Sequence, residues 1–198
     1  MSGYTAVDGD GRSSFERRGS EFLGYAAEVG GADEAEGYVG DVRDEHTGAT
    51  HHVYAYRVRT DPLRERYDDD GEPSGSAGKP VLNVLQGEGV ENVVAVVVRY
   101  YGGTKLGYGG LVGAYSDATK AALGDAGTRE AVPRDEVRVE VGYDDSGTVR
   151  GVVESEGVGF DAEYGEHVVF VVRPPTERTD EVVDRLMNAT SGRADIER

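Results

Sequence analysis

The sequence contains no cysteine and no tryptophan, and only three of its 21 basic residues are lysines. Without cysteine, disulfides, thiolate nucleophiles and cysteine-ligated metal sites are excluded. Long apolar runs are also missing, since the longest is "VVAVVV" at Val93–Val98, which is far too short to cross a bilayer. The first 20 residues lack the apolar core of a signal peptide. We therefore expect a soluble, cytoplasmic protein with no membrane partner.

Positive charge is scarce overall and unevenly placed. Across 198 residues, 38 acidic side chains oppose 21 basic ones and give a formal net charge of −17. The apolar runs argue against disorder, so the acidic excess predicts a halophilic protein whose hydrated carboxylate surface suits a high-salt cytoplasm. Residues 73–124 alone escape the acidification, with four bases, including all three lysines, against three acids. We expect this spared segment to be buried or to meet a negatively charged partner.

The hydrophobic patterns predict a two-domain α+β protein, with domains at residues 15–126 and 136–198. Residues 1–20 are interpreted as a polar lead-in and Gly124–Glu136 as a linker. The last 62 residues follow the order strand, helix, strand, strand, helix, strand of a ferredoxin-like fold. The first domain is predicted to contain strands at Phe22–Val29, at His51–Arg59, from Leu63 and within "ENVVAVVVRYY", and helices at Gly31–His46, after Pro80 and at Leu111–Leu123.

Several common chemistries are not supported by the motifs. The Walker A pattern fails around Gly78-Lys79, and the six-residue dinucleotide pattern fails at Gly107. His51 and His52 are adjacent on a predicted strand and must point to opposite faces, so they cannot chelate one metal together. The acidic run "DDDGE" (Asp68–Glu72) does not fit a calcium-loop register and is interpreted as a solvated turn. We predict no metal and no cofactor.

The most informative stretch is "RYYGGTKLGYGG", Arg99–Gly110, which has five glycines and only positive charges. A strand, a glycine turn and a helix start would present backbone N–H groups and a positive dipole end to an anion. Nearby tyrosines beside cations are typical of single-stranded RNA binding. The alternative is that these glycines serve only tight turns and close helix–sheet packing. A hydrolase that uses Ser74 or Ser76 with His51 or His52 is a further alternative, although no G-x-S-x-G motif is present.

Three blocks of the chain resemble the YigZ/IMPACT family. They are "THHVYAYR" (Thr50–Arg57), "DDDGEPSGSAGKPVLNVL" (Asp68–Leu85) and "VVVRYYGGTKLGYGGLVGAYSDATKAAL" (Val96–Leu123). The resemblance implies a ribosomal-protein-like βαβ domain, similar to domain IV of elongation factor G, followed by a ferredoxin-like βαββαβ domain. It also implies a role around translation. The chain departs from the family's pattern at Gly113 and Glu21, and both departures remove positive charge.

These observations predict a non-catalytic, translation-associated protein that binds RNA or the ribosome through one site, formed by the Gly102–Gly110 loop and the Gly71–Lys79 loop. A protein-interaction module that binds a translation factor through the same loops is the remaining alternative. The predicted contacts are Lys79, Arg99, Tyr100, Tyr101, Gly102, Gly103, Lys105, Gly107, Gly109 and Gly110. The predicted supporting residues are His51, His52, Arg57, Glu72 and Ser74.

Overall fold

A computed structural model describes residues 3–60 and 62–198. The chain divides into two compact units, an N-terminal unit formed by Tyr4–Ala131 and a C-terminal unit that holds Val132–Arg198. Each unit has an antiparallel sheet with helices packed on it, which confirms the predicted two-domain α+β fold class. Within the described ranges, no helix combines the length and the apolar character needed to cross a membrane.

The N-terminal unit is built on a five-stranded sheet. In chain order its elements are β1 (Tyr4–Val7), β2 (Gly11–Arg17), β3 (Ser20–Glu28), α1 (Ala32–Glu45), β4 (His51–Val58), β5 (Arg64–Asp68), α2 (Gly78–Gly87), β6 (Val93–Tyr100), α3 (Tyr108–Ala126) and β7 (Thr128–Ala131). The sheet order is β2-β3-β6-β4-β5, with every neighbouring pair antiparallel. Helix α1 connects β3 to β4, and β6 lies between these two strands in the sheet. Strands β3 and β4 with α1 therefore form a split βαβ unit.

Helices cover the central strand on both sides. On β6, Val93, Ala95 and Val97 pack in the cluster that contains residues of α2 and α3. The alternate residues Val94, Val96 and Val98 pack in the cluster that contains residues of α1. This burial on two faces explains the unbroken run of valines and confirms its prediction from the sequence.

Helix α3 lies unusually close to β2 and β3. A Cβ atom at Gly24 would lie 2.6 Å from the backbone oxygen of Ala118, and one at Gly11 would lie 2.0 Å from the backbone oxygen of Ala122. Only glycine on the strands and alanine on the helix permit this approach. The close packing fixes the direction of α3 and hence the position of its amino end.

The C-terminal unit has the predicted ferredoxin-like topology. Its elements are β8 (Val137–Val141), α4 (Tyr143–Ser155), β9 (Gly159–Tyr164), β10 (Val168–Arg173), α5 (Thr179–Ala189) and β11 (Asp195–Glu197). The sheet order is β11-β8-β10-β9, and all neighbours are antiparallel. The alternating valines of β8 and β10 pack with Phe170 and the buried residues of the two helices.

Two stretches differ from their predicted state. Residues 4–17, expected to be a polar lead-in, form β1 and β2, whereas Met1 and Ser2 lie outside the described residues. Within the expected linker, Thr128–Ala131 forms β7, which pairs with β1. Strands β1 and β7 are only four residues long and lie more than 100 residues apart in the chain, so local pattern does not reveal their pairing.

Candidate nucleic-acid interface

The candidate residues gather at the end of the five-stranded sheet where β6 finishes. Strand β3 begins and strand β4 begins at this same end, because the register pairs Phe22 and His51 with Arg99. Two loops begin at this end of the sheet, one after β5 and one after β6. We call residues 69–77, between β5 and α2, loop A, and residues 101–107, between β6 and α3, loop B.

The two loops are neighbours at the start of α3. The hydroxyl of Tyr108, the first residue of α3, donates a hydrogen bond of 3.1 Å to the carbonyl oxygen of Gly75 in loop A. The structure thus brings together the two segments that the sequence hypothesis assigned to one site. Tyr108 was not among the predicted contacts, although it stands within the quoted glycine-rich stretch.

Arg99 is an internal residue, and its predicted phosphate contact needs correction. It is 4% exposed, and its guanidinium donates a 2.6 Å hydrogen bond to Oε1 of the buried Glu72. Its Nη2 donates to the hydroxyl of Ser20 at 3.2 Å. The guanidinium also lies over the rings of Phe22 and Tyr101, at 5.4 and 5.3 Å from their centroids. Because its charge is paired inside the protein, Arg99 supports the site rather than facing a ligand.

Glu72 is the centre of this buried cluster. Its Oε1 also accepts a 2.7 Å hydrogen bond from the hydroxyl of Tyr115 on α3. Burial and the Glu72 carboxylate raise the pKa of the Tyr115 hydroxyl far above its usual value, so this hydroxyl remains a donor. The other carboxylate oxygen, Oε2, lies 3.8 Å from Nε2 of His51. Glu72 therefore joins loop A to β4, β6 and α3.

Asp69 occupies the amino end of α2. Its carboxylate accepts hydrogen bonds from the backbone N–H groups of Gly75, Ala77 and Gly78, at 2.7, 3.0 and 2.8 Å. These are the donors that an external anion would need at this helix start. Loop A therefore satisfies its own amides, and the acidic turn is an internal structural element rather than a purely solvated one, as the sequence interpretation had it.

The adjacent histidines lie on opposite faces of β4, as predicted. Nδ1 of His51 is 2.7 Å from the backbone oxygen of Asp70, whereas Nε2 of His52 is 3.0 Å from the backbone oxygen of His46. The Asp70 carboxylate accepts the backbone N–H of His52 at 2.6 Å. Both histidines therefore hold loop A and the end of α1 against the sheet.

The predicted hydrolase geometry does not form. The ring nitrogens of His51 face Asp70 and Glu72, and those of His52 face His46 and Asp70, so neither ring is directed to a serine hydroxyl. Ser74 is exposed, and the hydroxyl of Ser76 is buried without a hydrogen bond in the part of the chain that the structure describes. Nor does any group of three or more His, Cys, Asp or Glu side chains among the described residues have an arrangement that could hold a metal ion.

The two predicted stacking tyrosines differ in environment. Tyr100 is half-buried on the α1 face, and its hydroxyl is 2.9 Å from Nδ1 of His46, whose Nε2 is 2.6 Å from the hydroxyl of Tyr25. Tyr101 is 45% exposed at the start of loop B. Only Tyr101 of the pair presents an accessible ring, and Tyr108, at 59%, presents a second one nearby in the chain.

Loop B is anchored at both ends and exposed between them. The N–H of Gly102 donates to the hydroxyl of Ser20 at 3.2 Å, so this amide is already satisfied. Leu106 is buried in the core, whereas Gly103, Thr104 and Lys105 are exposed. Lys105 forms no ion pair within residues 3–60 and 62–198, so its ammonium group is available to a partner.

The amino end of α3 is open, unlike that of α2. Its N-cap is Gly107, with a φ of 76°, and no side chain of the described residues caps it. The first helical residues are Tyr108, Gly109 and Gly110, whose N–H groups have no intrahelical acceptor. The positive φ at Gly107 disfavours other residues, and the two glycines keep side chains away from the amides. This helix start therefore presents free donors and a positive dipole end beside Lys105.

The remaining predicted cations are less central. Nζ of Lys79, in the first turn of α2, lies 5.6 Å from the ring centroid of Tyr67. Arg57 lies six residues along β4 from His51, and it is bound to Glu65 at 2.7 Å and to the backbone oxygens of Leu85 and Val90. The structure thus separates Arg57 from the site, because it serves the opposite end of the sheet.

At Gly113, where the chain lacks the basic residue of the family pattern, the guanidinium of Arg17 supplies a positive charge. A Cβ atom at Gly113 would lie 3.3 Å from Nη1 of Arg17, so this guanidinium lies over the position where a longer side chain would begin. Arg17 also pairs with Asp117 at 2.8 Å. Glu21 is exposed and directly opposes Glu16 across the sheet, which makes this flank of the site acidic. A phosphate backbone would therefore favour the side with Lys105 and α3 over the side with Glu21.

Comparison with known proteins places the chain in a family. Residues 18–123 match the model of the Impact N-terminal domain, and residues 139–193 match a domain of unknown function, DUF1949. The chain belongs to the IMPACT family.

Relatives of similar length share both halves. The chain is 34% identical over 180 residues to the IMPACT family member YigZ of Escherichia coli (strain K12), covering 89% of this chain and 88% of the relative. It is 30% identical over 194 residues to the IMPACT family member YvyE of Bacillus subtilis (strain 168), covering 98% of this chain and 89% of the relative. A solved structure described as a crystal structure of a hypothetical protein is similar over 99% of this chain and 97% of its own, with a TM-score of 0.73 and 32% identity.

Proposed function

We propose that this protein is a non-catalytic, translation-associated factor that binds RNA, within the ribosome or free, through loop B and the amino end of α3. The observation that carries the proposal is the uncapped start of α3, which lies next to the unpaired Lys105 and to the exposed rings of Tyr101 and Tyr108. Amide donors and an ammonium group suit phosphates, and exposed rings suit unstacked bases. Membership of the IMPACT family supports a role in translation through the resemblance described above.

The proposed contacts differ from those predicted from the sequence, because Arg99 and Gly102 become internal supports and Tyr108 is added. Lys105, Gly103, Gly109 and Gly110 would face the phosphates, while Tyr101 and Tyr108 would stack on bases. Lys79 would contact the strand further along, next to loop A. Arg99, Gly102 and Glu72 would support these groups from inside.

Ribosome co-sedimentation tests this proposal. Wild type should co-sediment with ribosomes of the source organism, and Lys105→Glu should reduce the bound fraction at least about tenfold, because one charge-assisted contact becomes a repulsion. Lys120→Glu is the matched control, since Lys120 is exposed on α3, outside loop B, and the variant carries the same charge change. It lies about 18 Å along α3 from Tyr108.

Each result of the co-sedimentation experiment leads to a different conclusion. Equal binding of Lys105→Glu and Lys120→Glu would show that loop B makes no contact. An absence of wild-type binding at both low and molar KCl would contradict the ribosomal form of the proposal. Binding that resists nuclease treatment and follows a purified ribosomal protein would favour the protein-interaction alternative.

A further inference from the structure

A chain of hydrogen bonds runs from loop A to loop B through the interior. The hydroxyl of Tyr115 and the guanidinium of Arg99 both donate to Oε1 of Glu72, at 2.7 and 2.6 Å. Arg99 then donates to the hydroxyl of Ser20 at 3.2 Å, and the same hydroxyl accepts the N–H of Gly102, also at 3.2 Å. Two side chains, Arg99 and Ser20, thus connect Glu72 of loop A with Gly102, the second residue of loop B, and Tyr115 holds Glu72 from α3.

The side chains of this hydrogen-bonded path are buried, whereas Gly102 at its loop B end is exposed. The side chains of Arg99 and Glu72 are 5% and 4% exposed, and Ser20 is fully buried. In such surroundings water does not replace a lost partner, so each group depends on the next for its hydrogen bonds. Because lost partners are costly in this buried setting, these hydrogen bonds favour one arrangement of the side chains and therefore fix the backbone segments that carry them, although Nε of Arg99 forms no hydrogen bond among the described residues.

The start of loop B depends on this chain for its position. Gly102 lies against the turn between β2 and β3, where a Cβ atom would be 1.7 Å from the backbone oxygen of Gly19. The N–H of Tyr101 donates to the hydroxyl of Thr50 at 3.0 Å, and its ring lies over the guanidinium of Arg99. No other part of the described structure lies within 4 Å of a Cβ atom at Gly103, so the middle of loop B has no packing contact there. Lys105 therefore takes its position from the two anchors of the loop, Gly102 and the buried Leu106.

We infer that Glu72 and Ser20 are positioning residues, which act through Arg99 to hold loop B in one geometry relative to loop A. The cationic and aromatic groups of the site then meet a ligand as one preorganised surface rather than as two independent loops. This inference rests on the proposed function only for its binding consequence. The coupling between the loops stands on the hydrogen bonds themselves.

Amide exchange measured by NMR tests the coupling directly. In Ser20→Ala, which removes the shared acceptor, the amide of Gly102 should exchange about threefold to tenfold faster. Affinity for a single-stranded RNA oligonucleotide should fall by a similar factor. Tyr115→Phe keeps the ring but removes its donor to Glu72, and it should accelerate exchange at Gly102 in the same direction from the opposite end of the chain.

Ser13→Ala is the matched control. The Ser13 hydroxyl donates at 2.9 Å to the backbone oxygen of Ala118, so this variant loses one partly buried hydrogen bond in the same unit, away from loop B. It should lower global stability comparably and leave both the exchange of Gly102 and the RNA affinity unchanged. Unchanged exchange at Gly102 in both Ser20→Ala and Tyr115→Phe would overturn the inference. Faster exchange supports it even where wild type binds no RNA, a result that would instead contradict the proposed function.

Discussion

Arg99→Ala is expected to destabilise the N-terminal unit by about 3–5 kcal/mol, because it leaves the carboxylate of Glu72 buried without its cation. Both side chains are almost fully enclosed, at 5% and 4% exposure, and they meet at 2.6 Å. Removing one partner costs far more than the pair contributes, since the remaining charge has lost water as well as its counter-charge. Urea unfolding followed by the methyl signals of the β6 valines measures this change in the N-terminal unit alone.

Two further variants make this prediction specific. Arg17→Ala breaks the ion pair with Asp117, whose side chains are 36% and 53% exposed, and should cost no more than about 1 kcal/mol. The double variant Arg99→Ala, Glu72→Ala should lose less than the sum of the two single variants, because no lone buried charge remains. A loss in Arg99→Ala no larger than that in Arg17→Ala would show that Arg99 is not buried against Glu72.

Asp69→Ala is expected to destabilise the same unit by about 3 kcal/mol, since three backbone N–H groups lose a charged acceptor at once. The donors belong to Gly75, Ala77 and Gly78, where loop A enters α2. They are part-buried, and a single N-cap substitution already costs about 1 kcal/mol. Urea midpoints and the exchange rates of these three amides measure the effect.

The neighbouring carboxylate provides the control. Among the described residues, the Asp68 carboxylate accepts only the N–H of Asp70, at 2.7 Å and in an exposed position, so Asp68→Ala should cost about 1 kcal/mol or less. Asp69→Asn keeps one acceptor oxygen and should recover part of the loss. Equal stability of the Asp68 and Asp69 alanine variants would mean that Asp69 does not cap α2.

Local patterns were sufficient for most of the fold. The alternation along β4 assigned His51 and His52 to opposite faces, and the unbroken valines of β6 indicated cover on both sides. The order of elements in the last third of the chain predicted the ferredoxin-like unit. These features follow from periodicity within one element, which a single sequence displays directly. The short pair β1–β7 has no such signal, because its partners lie far apart in the chain.

The side-chain pairings of the candidate site could not be predicted from the sequence. Arg99 is predicted as a phosphate contact because it is one of the two cations of the glycine-rich stretch, yet the alternation of β6 continues from Val97 and places Arg99 on a covered face. Its partner Glu72 lies 27 residues away in a segment that looks solvated, so their pairing appears only in three dimensions. Asp69 was missed for the same reason. A run of acidic residues does not reveal which carboxylate turns inward.

The sequence predicts a helix after Lys105 with its start at Leu111, whereas α3 begins at Tyr108. Helices α2 and α3 both follow glycine-rich loops, and the sequence does not reveal which of the two helix starts is open. In the structure, the Asp69 carboxylate caps the start of α2, whereas no side chain in the described part of the chain caps the start of α3. The choice between them depends on one side chain placed by the tertiary fold.

The measurement that tests the central claim most directly is a titration of a fluorescent single-stranded RNA with wild type, Lys105→Ala and Lys120→Ala at several salt concentrations. We expect Lys105→Ala to bind more weakly and to reduce the slope of log K against log salt by about 0.7, the value for one lost phosphate contact on a single strand. Lys120→Ala should match wild type in both affinity and slope. Identical slopes and affinities for all three proteins would contradict a phosphate contact at loop B.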